Sequence, residues 1–272
     1  MISLVSEEHT SEGHAGEIFY RVWPNPDAAR VVILAHGYGE HIGRYEHVAA
    51  AFGDRGALVA GPDHVGHGQS AGERVLMLDY EAVIDDLHGV IARVRTDHTE
   101  LPVVLVGHSM GGLIAARYAQ RHGSELAGLV LSAPVLGSWV QATDLLALEE
   151  IPDDPLPPET LSRDPEVGAA YTADELVWHG PFKRPTLESL ALALATVNEA
   201  SDIGDLPTLW IHGDADQLVP IAQTREGIGR LGLANLREIV YPGARHEVFN
   251  ETNSDEVLAA TADFIDAVAP AD

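Results

Sequence analysis

Residues 103–122 read Val-Val-Leu-Val-Gly-His-Ser-Met-Gly-Gly-Leu-Ile-Ala-Ala-Arg-Tyr-Ala-Gln-Arg-His. The β-branched and aliphatic run Val103 to Val106 predicts a buried strand, and Leu113, Ala116 and Tyr118 are spaced as a helix packed on it. Between them lies Gly107-His108-Ser109-Met110-Gly111, a G-x-S-x-G nucleophile elbow. A strand turns into a helix there with almost no loop. Glycines two places either side of the serine remove side chains that would collide in so sharp a turn. The serine is left above the sheet edge at a helix start, where the dipole and free N–H groups favour developing negative charge.

Outward from this stretch, strand and helix alternate. Gly16–Trp23 reads as an early strand and Arg30–Ala35 as a buried one. Residues 44–54 carry Tyr45, Val48, Ala49 and Phe52 on one helical face. Gly56–Ala60 is a short strand and Asp79–Arg95 an amphipathic helix, with Leu126–Ser132 the strand after the elbow unit. The alternation predicts an α/β domain with a mainly parallel central sheet and helices on both faces. It stops after Pro134. Residues 137–200 hold a charged, Pro-rich break at Glu149–Pro158 and two helical stretches, Thr172–His179 and Thr186–Ala200. An interruption this long inside a compact domain predicts a helical cap inserted over the site. The pattern resumes with strands at Pro207–His212 and Leu236–Tyr241 and helices at Ile221–Leu231 and Asp255–Val268. The expected division is a core of 1–136 and 201–272 with a cap of 137–200.

Composition narrows the chemistry. The 272 residues suffice for one large domain with an insertion. There is no cysteine, which removes disulfides, thiolate catalysis and cysteine metal sites. The formal net charge of −26 disfavours nucleic acid and anionic membranes as partners. The N-terminal residues lack the basic and apolar regions of a signal peptide, and no stretch is long enough for a membrane span. A cytoplasmic protein is expected, with peripheral contact to a lipid surface through an apolar cap. Oligomeric state is not readable.

A serine hydroxyl needs a base to take its proton, usually a histidine held by a carboxylate. α/β-Hydrolases supply these in the chain order serine, acid, histidine, from loops after successive strands. Ser109 is followed by Asp214 and Asp216 after the 207–212 strand and by His246 after the 236–241 strand. The turn-like Gly213-Asp214-Ala215-Asp216 leaves either aspartate open as the acid. An oxyanion hole would use the N–H of Met110, after the nucleophile, and that of Tyr38 in the loop after Ala35. His36, His41, His64 and His67 with Asp63 could be written as a zinc cluster. They lack the spacing of a closed metal site and a serine elbow needs no metal, so neither metal nor cofactor is expected.

The blocks His36-Gly-Tyr-Gly-Glu-His-Ile-Gly-Arg-Tyr45, Asp63-His-Val-Gly-His-Gly-Gln-Ser70, Gly107-His-Ser-Met-Gly-Gly112, Ser132-Ala-Pro134 and Gly213-Asp-Ala-Asp216 with His246 resemble the monoacylglycerol lipase family of the α/β-hydrolase superfamily. The resemblance covers nearly the whole chain and is weakest in 138–200. It implies hydrolysis of monoacylglycerol to glycerol and fatty acid through a Ser109–His246–Asp216 triad. It also implies Glu40 and Arg44 at the polar, glycerol-binding end of the pocket, and a cap that forms the acyl tunnel. A broader carboxylesterase or lysophospholipase is the rival reading. A peptidase would need an N-terminus-recognition site that is not evident. A dehalogenase would carry aspartate in place of Ser109. A non-catalytic binding protein would have lost a triad residue.

Overall fold

The computed structural model of the chain describes residues 5–200 and 202–271. Among them one eight-stranded sheet runs in spatial order β1 (Glu7–Gly13), β2 (Gly16–Trp23), β4 (Ala57–Pro62), β3 (Arg30–Ala35), β5 (Val103–His108), β6 (Gly128–Ser132), β7 (Thr208–Gly213) and β8 (Leu236–Tyr241). β1, β2 and β4 pair antiparallel, and all pairs from β4 to β8 are parallel. Every residue of β3, β5 and β7 is buried. Strands covered on both faces need no polar alternation, which is why they read as continuous aliphatic runs.

The chain reverses direction across the sheet at β3. It goes to β4 on one side and returns to β5 on the other. Right-handed crossovers made in opposite senses put the connecting helices on opposite faces. Accordingly Val48 and Phe52 of α1 (Glu46–Gly53) pack with Val32 and Leu34, whereas Val83 and Leu87 of α2 (Tyr80–Val94) pack with Val31 and Ile33. α8 (Ser254–Val268) completes the first layer, and α3 (Met110–His122) the second. The β3–β5 register pairs Ala35 with Gly107, so the loops after both strands open side by side at the switch point. Ligand sites of open parallel sheets form there. This is the expected α/β-hydrolase arrangement, closed on the β7 side by α7 (Ile221–Arg230).

Between β6 and β7 lies an inserted helical region with α4 (Val140–Ala147), α5 (Pro165–Ala173) and α6 (Arg184–Glu199). Leu187, Leu190, Leu194 and Val197 of α6 join the core on the α2/α3 side. The expectation of a helix at Thr172–His179 is wrong. The helix there is α5, which starts at Pro165 behind an Asp164 cap on the Glu166 N–H and has ended by Asp174. The Asp174 carboxylate takes the Leu176 N–H in a local turn, and the Trp178 N–H bonds to Gly39 O at 2.7 Å, drawing the chain away from helical geometry. α4 and β1 were not expected at all.

Candidate active site

Four loops at the carboxyl ends of parallel strands converge. Ser109 follows β5, Gly37 to Glu40 follow β3, Asp216 follows β7, and His246 follows β8. Ser109 has φ 55° and ψ −119°, a conformation in which L-residues are strained. The flanking glycines make room for the tight turn that holds it. A Cβ on Gly107 would run into the Gly111 carbonyl, and one on Gly111 into the Ala35 carbonyl.

Ser109 Oγ lies 2.9 Å from His246 Nε2, and His246 Nδ1 lies 2.7 Å from Asp216 Oδ2. Asp216 is buried and its Oδ1 accepts the Leu218 and Val219 N–H groups, each at 2.9 Å. His212 adds support that sequence reading missed. The Trp210 indole N–H donates to His212 Nδ1, so the ring proton sits on Nε2, which donates to Val219 O at 2.9 Å and lies 3.3 Å from Asp216 Oδ2. Burial opposes ionisation of Asp216. The charge of His246 and the bonds from His212 and His246 outweigh it and hold the carboxyl well below the usual carboxylate range. Burial likewise opposes a charged His246, but Asp216 and then Glu247 and Glu40 overcome it and raise its pKa. The arrangement is serine hydrolase machinery: a nucleophile, a base of raised basicity and a carboxylate kept ionised. Asp214, the other candidate, is exposed and bonds the Gly243 N–H at 2.6 Å, bracing two loops against each other.

The Gly37–Tyr38 segment lies against the nucleophile, since a Cβ on Gly37 would come within 3.2 Å of the Ser109 Cβ. Met110 heads α3, where first-turn amides have no intrahelical acceptor. Among the described residues neither the Met110 nor the Tyr38 N–H donates to a protein acceptor.

Arg44 is held between two buried carboxylates. It donates to Glu40 Oε2 at 2.6 Å and grips Glu247 with two bonds of 2.8 and 2.9 Å. Glu40 Oε1 also accepts the Gly37 N–H and the Tyr45 hydroxyl. Burial opposes the charge on Glu40, but Arg44 wins and lowers its pKa. The set carries one net negative charge beside His246. Glu247 had no signal in the sequence beyond its place next to His246.

A cavity of about 390 Å³ opens from Ser109. Its wall carries the hydrogen-bonded Glu40, Arg44 and Glu247 together with His108. The remainder is mainly apolar, and includes Val135, Trp139, Leu145, Phe182 and Leu190, with Gln141 and Asp144 on α4. The inserted region closes over it. Phe182 stacks on Tyr38 at 4.5 Å, Trp139 Nε1 donates to Leu218 O, and His41 Nε2 lies 2.8 Å from Asp174. The Tyr171 ring covers Arg44 at 5.2 Å.

Of the other loop histidines, His36 is bonded at both ring nitrogens, whereas the buried Nε2 atoms of His64 and His67 have no hydrogen-bond partner among the described residues. His36 bonds Gly37 O and the His64 N–H, and His67 bonds Val65 O. Burial keeps His36, His64 and His67 largely neutral, with His67 lowered to about 4. A separate group, His88, His122 and Glu125, brings three donor atoms within 4.8 Å on the outer surface of α2 and α3. Among the described residues no helix is long and apolar enough to cross a membrane.

A family model described as serine aminopeptidase, S33 (Hydrolase_4) matches residues 26–253. A monoacylglycerol lipase from Mycolicibacterium smegmatis is 38% identical over 269 residues, 95% of this chain and 96% of that one. Monoglyceride lipase from Homo sapiens is 34% identical over 212 residues, 74% of this chain and 70% of that one. The structure of a Paleococcus ferrophilus monoacylglycerol lipase, 25% identical, matches with a TM-score of 0.79 over 92% of this chain and 99% of that one. The chain belongs to the S33-type hydrolase family that the model describes and to the monoacylglycerol lipase family of serine-dependent α/β-hydrolases.

Proposed function

We propose that this protein hydrolyses monoacylglycerols to glycerol and free fatty acid through an acyl-enzyme. The observation that carries the reading is the hydrogen-bonded chain Ser109–His246–Asp216 in a cavity whose lining combines the Glu40–Arg44–Glu247 cluster with mainly apolar side chains. An ester with a fatty chain on one side and a polyol on the other matches that combination. The relatives named monoacylglycerol lipase support the same substrate.

In this reading His246 takes the Ser109 proton as Oγ attacks the ester carbonyl. The N–H groups of Tyr38 and Met110 hold the oxyanion. His246 then protonates the leaving glycerol oxygen and next activates the water that hydrolyses the acyl-enzyme. Asp216 stays ionised and orients the imidazole. Glu40 and Arg44, with Glu247, order the glycerol side. Residues 137–200 act as a cap over a core of 1–136 and 201–272. The exposed Val140, Leu148, Leu176 and Leu192 of that segment would meet a lipid surface from a cytoplasmic enzyme.

A broader carboxylesterase is the second reading, favoured by how few polar groups line the cavity away from the Glu40–Arg44–Glu247 cluster. The test is kcat/KM for monooleoylglycerol, di- and trioleoylglycerol, lysophosphatidylcholine, p-nitrophenyl esters and aminoacyl anilides. The proposal expects monooleoylglycerol to lead by tenfold or more. Equal rates on the simple esters would favour the second reading, and a lead for the anilides would overturn both.

A further inference from the structure

We infer that His36 is a positioning residue that polarises the Tyr38 oxyanion donor through the Gly37 carbonyl. The inference rests on the proposed role of the Tyr38 N–H and deepens it.

His36 follows β3 directly and is fully buried. The backbone N–H of His64 points at its Nε2 from 3.0 Å. A backbone N–H can only donate, so Nε2 is bare. In a neutral imidazole the single proton then sits on Nδ1. Nδ1 lies 2.8 Å from the Gly37 carbonyl oxygen, which can only accept. The tautomer is therefore fixed from both sides. Neutrality follows from the surroundings. Among the described residues the ring has no carboxylate partner; it lies 4.3 Å from His64 and 5.4 Å from His67 and is shielded from water.

The Gly37 carbonyl belongs to the same peptide group as the Tyr38 N–H. Amide resonance links them, so a proton donated to the oxygen draws electron density from the nitrogen and makes its N–H a better donor. The chain runs His64 N–H, His36 Nε2, His36 Nδ1–H, Gly37 C=O, Tyr38 N–H, and ends where the oxyanion would stand. Each neutral link strengthens the next by some 10–30%. The preceding peptide is fixed separately, because the Gly37 N–H donates to Glu40 Oε1 at 2.6 Å. The Gly37–Tyr38 peptide is thus held at its carbonyl, and the peptide before it at its N–H, before substrate arrives, which is what preorganised oxyanion stabilisation requires.

Two amide substitutions separate polarisation from mere bracing. His36→Asn places an amide N–H near the position of Nδ1 and keeps the bond to Gly37. His36→Gln reaches instead to the Nε2 position, accepts the His64 N–H and leaves Gly37 O without its donor. Both replace one buried polar side chain by another, and thermal unfolding checks that each is folded. The expectation is that His36→Asn retains most of kcat. His36→Gln loses about tenfold or more in kcat with KM within twofold, since the lost effect acts only on the oxyanion. Equal kcat in the two folded variants, or losses confined to KM, would overturn the inference.

NMR supplies a readout independent of turnover. The ¹⁵N spectrum should show His36 protonated at Nδ1 and bare at Nε2, and the reverse tautomer would overturn the inference. Binding of a long-chain alkyl trifluoromethyl ketone forms a hemiketal oxyanion on Ser109. It should move the Tyr38 amide proton downfield, and by less in His36→Gln. No movement in the wild type overturns the oxyanion role of Tyr38 and the inference with it. An equal movement in both proteins overturns the role of His36 alone.

Discussion

Arg44 grips Glu247 with two parallel hydrogen bonds, of 2.8 and 2.9 Å, although the two residues are 203 positions apart and both side chains are nearly buried. The contact ties the loop after β3 to the loop carrying His246. Removing Arg44 leaves Glu40 and Glu247 as buried carboxylates without a cation. Arg44→Met is therefore expected to cost about 3–5 kcal/mol of stability, read from urea unfolding. Glu247→Gln leaves Arg44 paired with Glu40 and should cost clearly less. Equal losses would mean that the ion pair is not what joins the loops.

The same carboxylates bear on the working pH. Only neutral His246 can accept the Ser109 proton, and its pKa is raised above the ordinary value of about 6.5. As pH falls through that raised value the base is lost, so the acid limb of kcat/KM should lie above 6.5. Glu247→Gln removes one of the charges that favours the imidazolium, so its acid limb should move to lower pH. A shift to higher pH, measured on the same ester, would contradict this account of the base.

Asp216 and Asp214 are two positions apart and chemically alike, yet only Asp216 faces His246. Asp216→Asn should lower kcat by about 10⁴-fold, as loss of a triad carboxylate does elsewhere. Asp214→Asn should leave kcat within a few fold and cost about 1 kcal/mol through the Gly243 contact. Comparable loss of kcat in both variants would remove the distinction.

The backbone at Ser109 makes an opposite-signed prediction for stability. Its φ and ψ suit glycine, and a serine held there is strained by about 1–3 kcal/mol. Ser109→Gly should abolish hydrolysis while raising the thermal midpoint above that of Ser109→Ala. A lower midpoint for the glycine variant would show that the elbow is not strained.

What the sequence made legible follows from what packing demands. β3, β5 and β7 are buried on both faces and therefore announce themselves as aliphatic runs. β1, Glu-Glu-His-Thr-Ser-Glu-Gly, lies at the sheet edge, where backbone pairing with β2 suffices and few apolar residues are needed. The expected helix at Thr172–His179 gives way after Ala173, because the Asp174 turn and the bond from Trp178 to Gly39, a contact distant in sequence, decide the path. The triad positions were readable as loop ends after strands. The choice between Asp214 and Asp216 needed the family resemblance, because a turn presents both. Glu247 and His212 act through contacts made only when distant loops meet, and no local pattern encodes that.

The role of Ser109 as nucleophile toward a fatty-acyl ester is checked by labelling with a long-chain fluorophosphonate followed by peptide mapping, with residual hydrolysis of monooleoylglycerol measured on the same sample. The expected result is a single adduct on Ser109, slowed by added monooleoylglycerol, with hydrolysis lost in proportion to labelling. An adduct on another residue, or hydrolysis that persists when Ser109 is fully labelled, would contradict it.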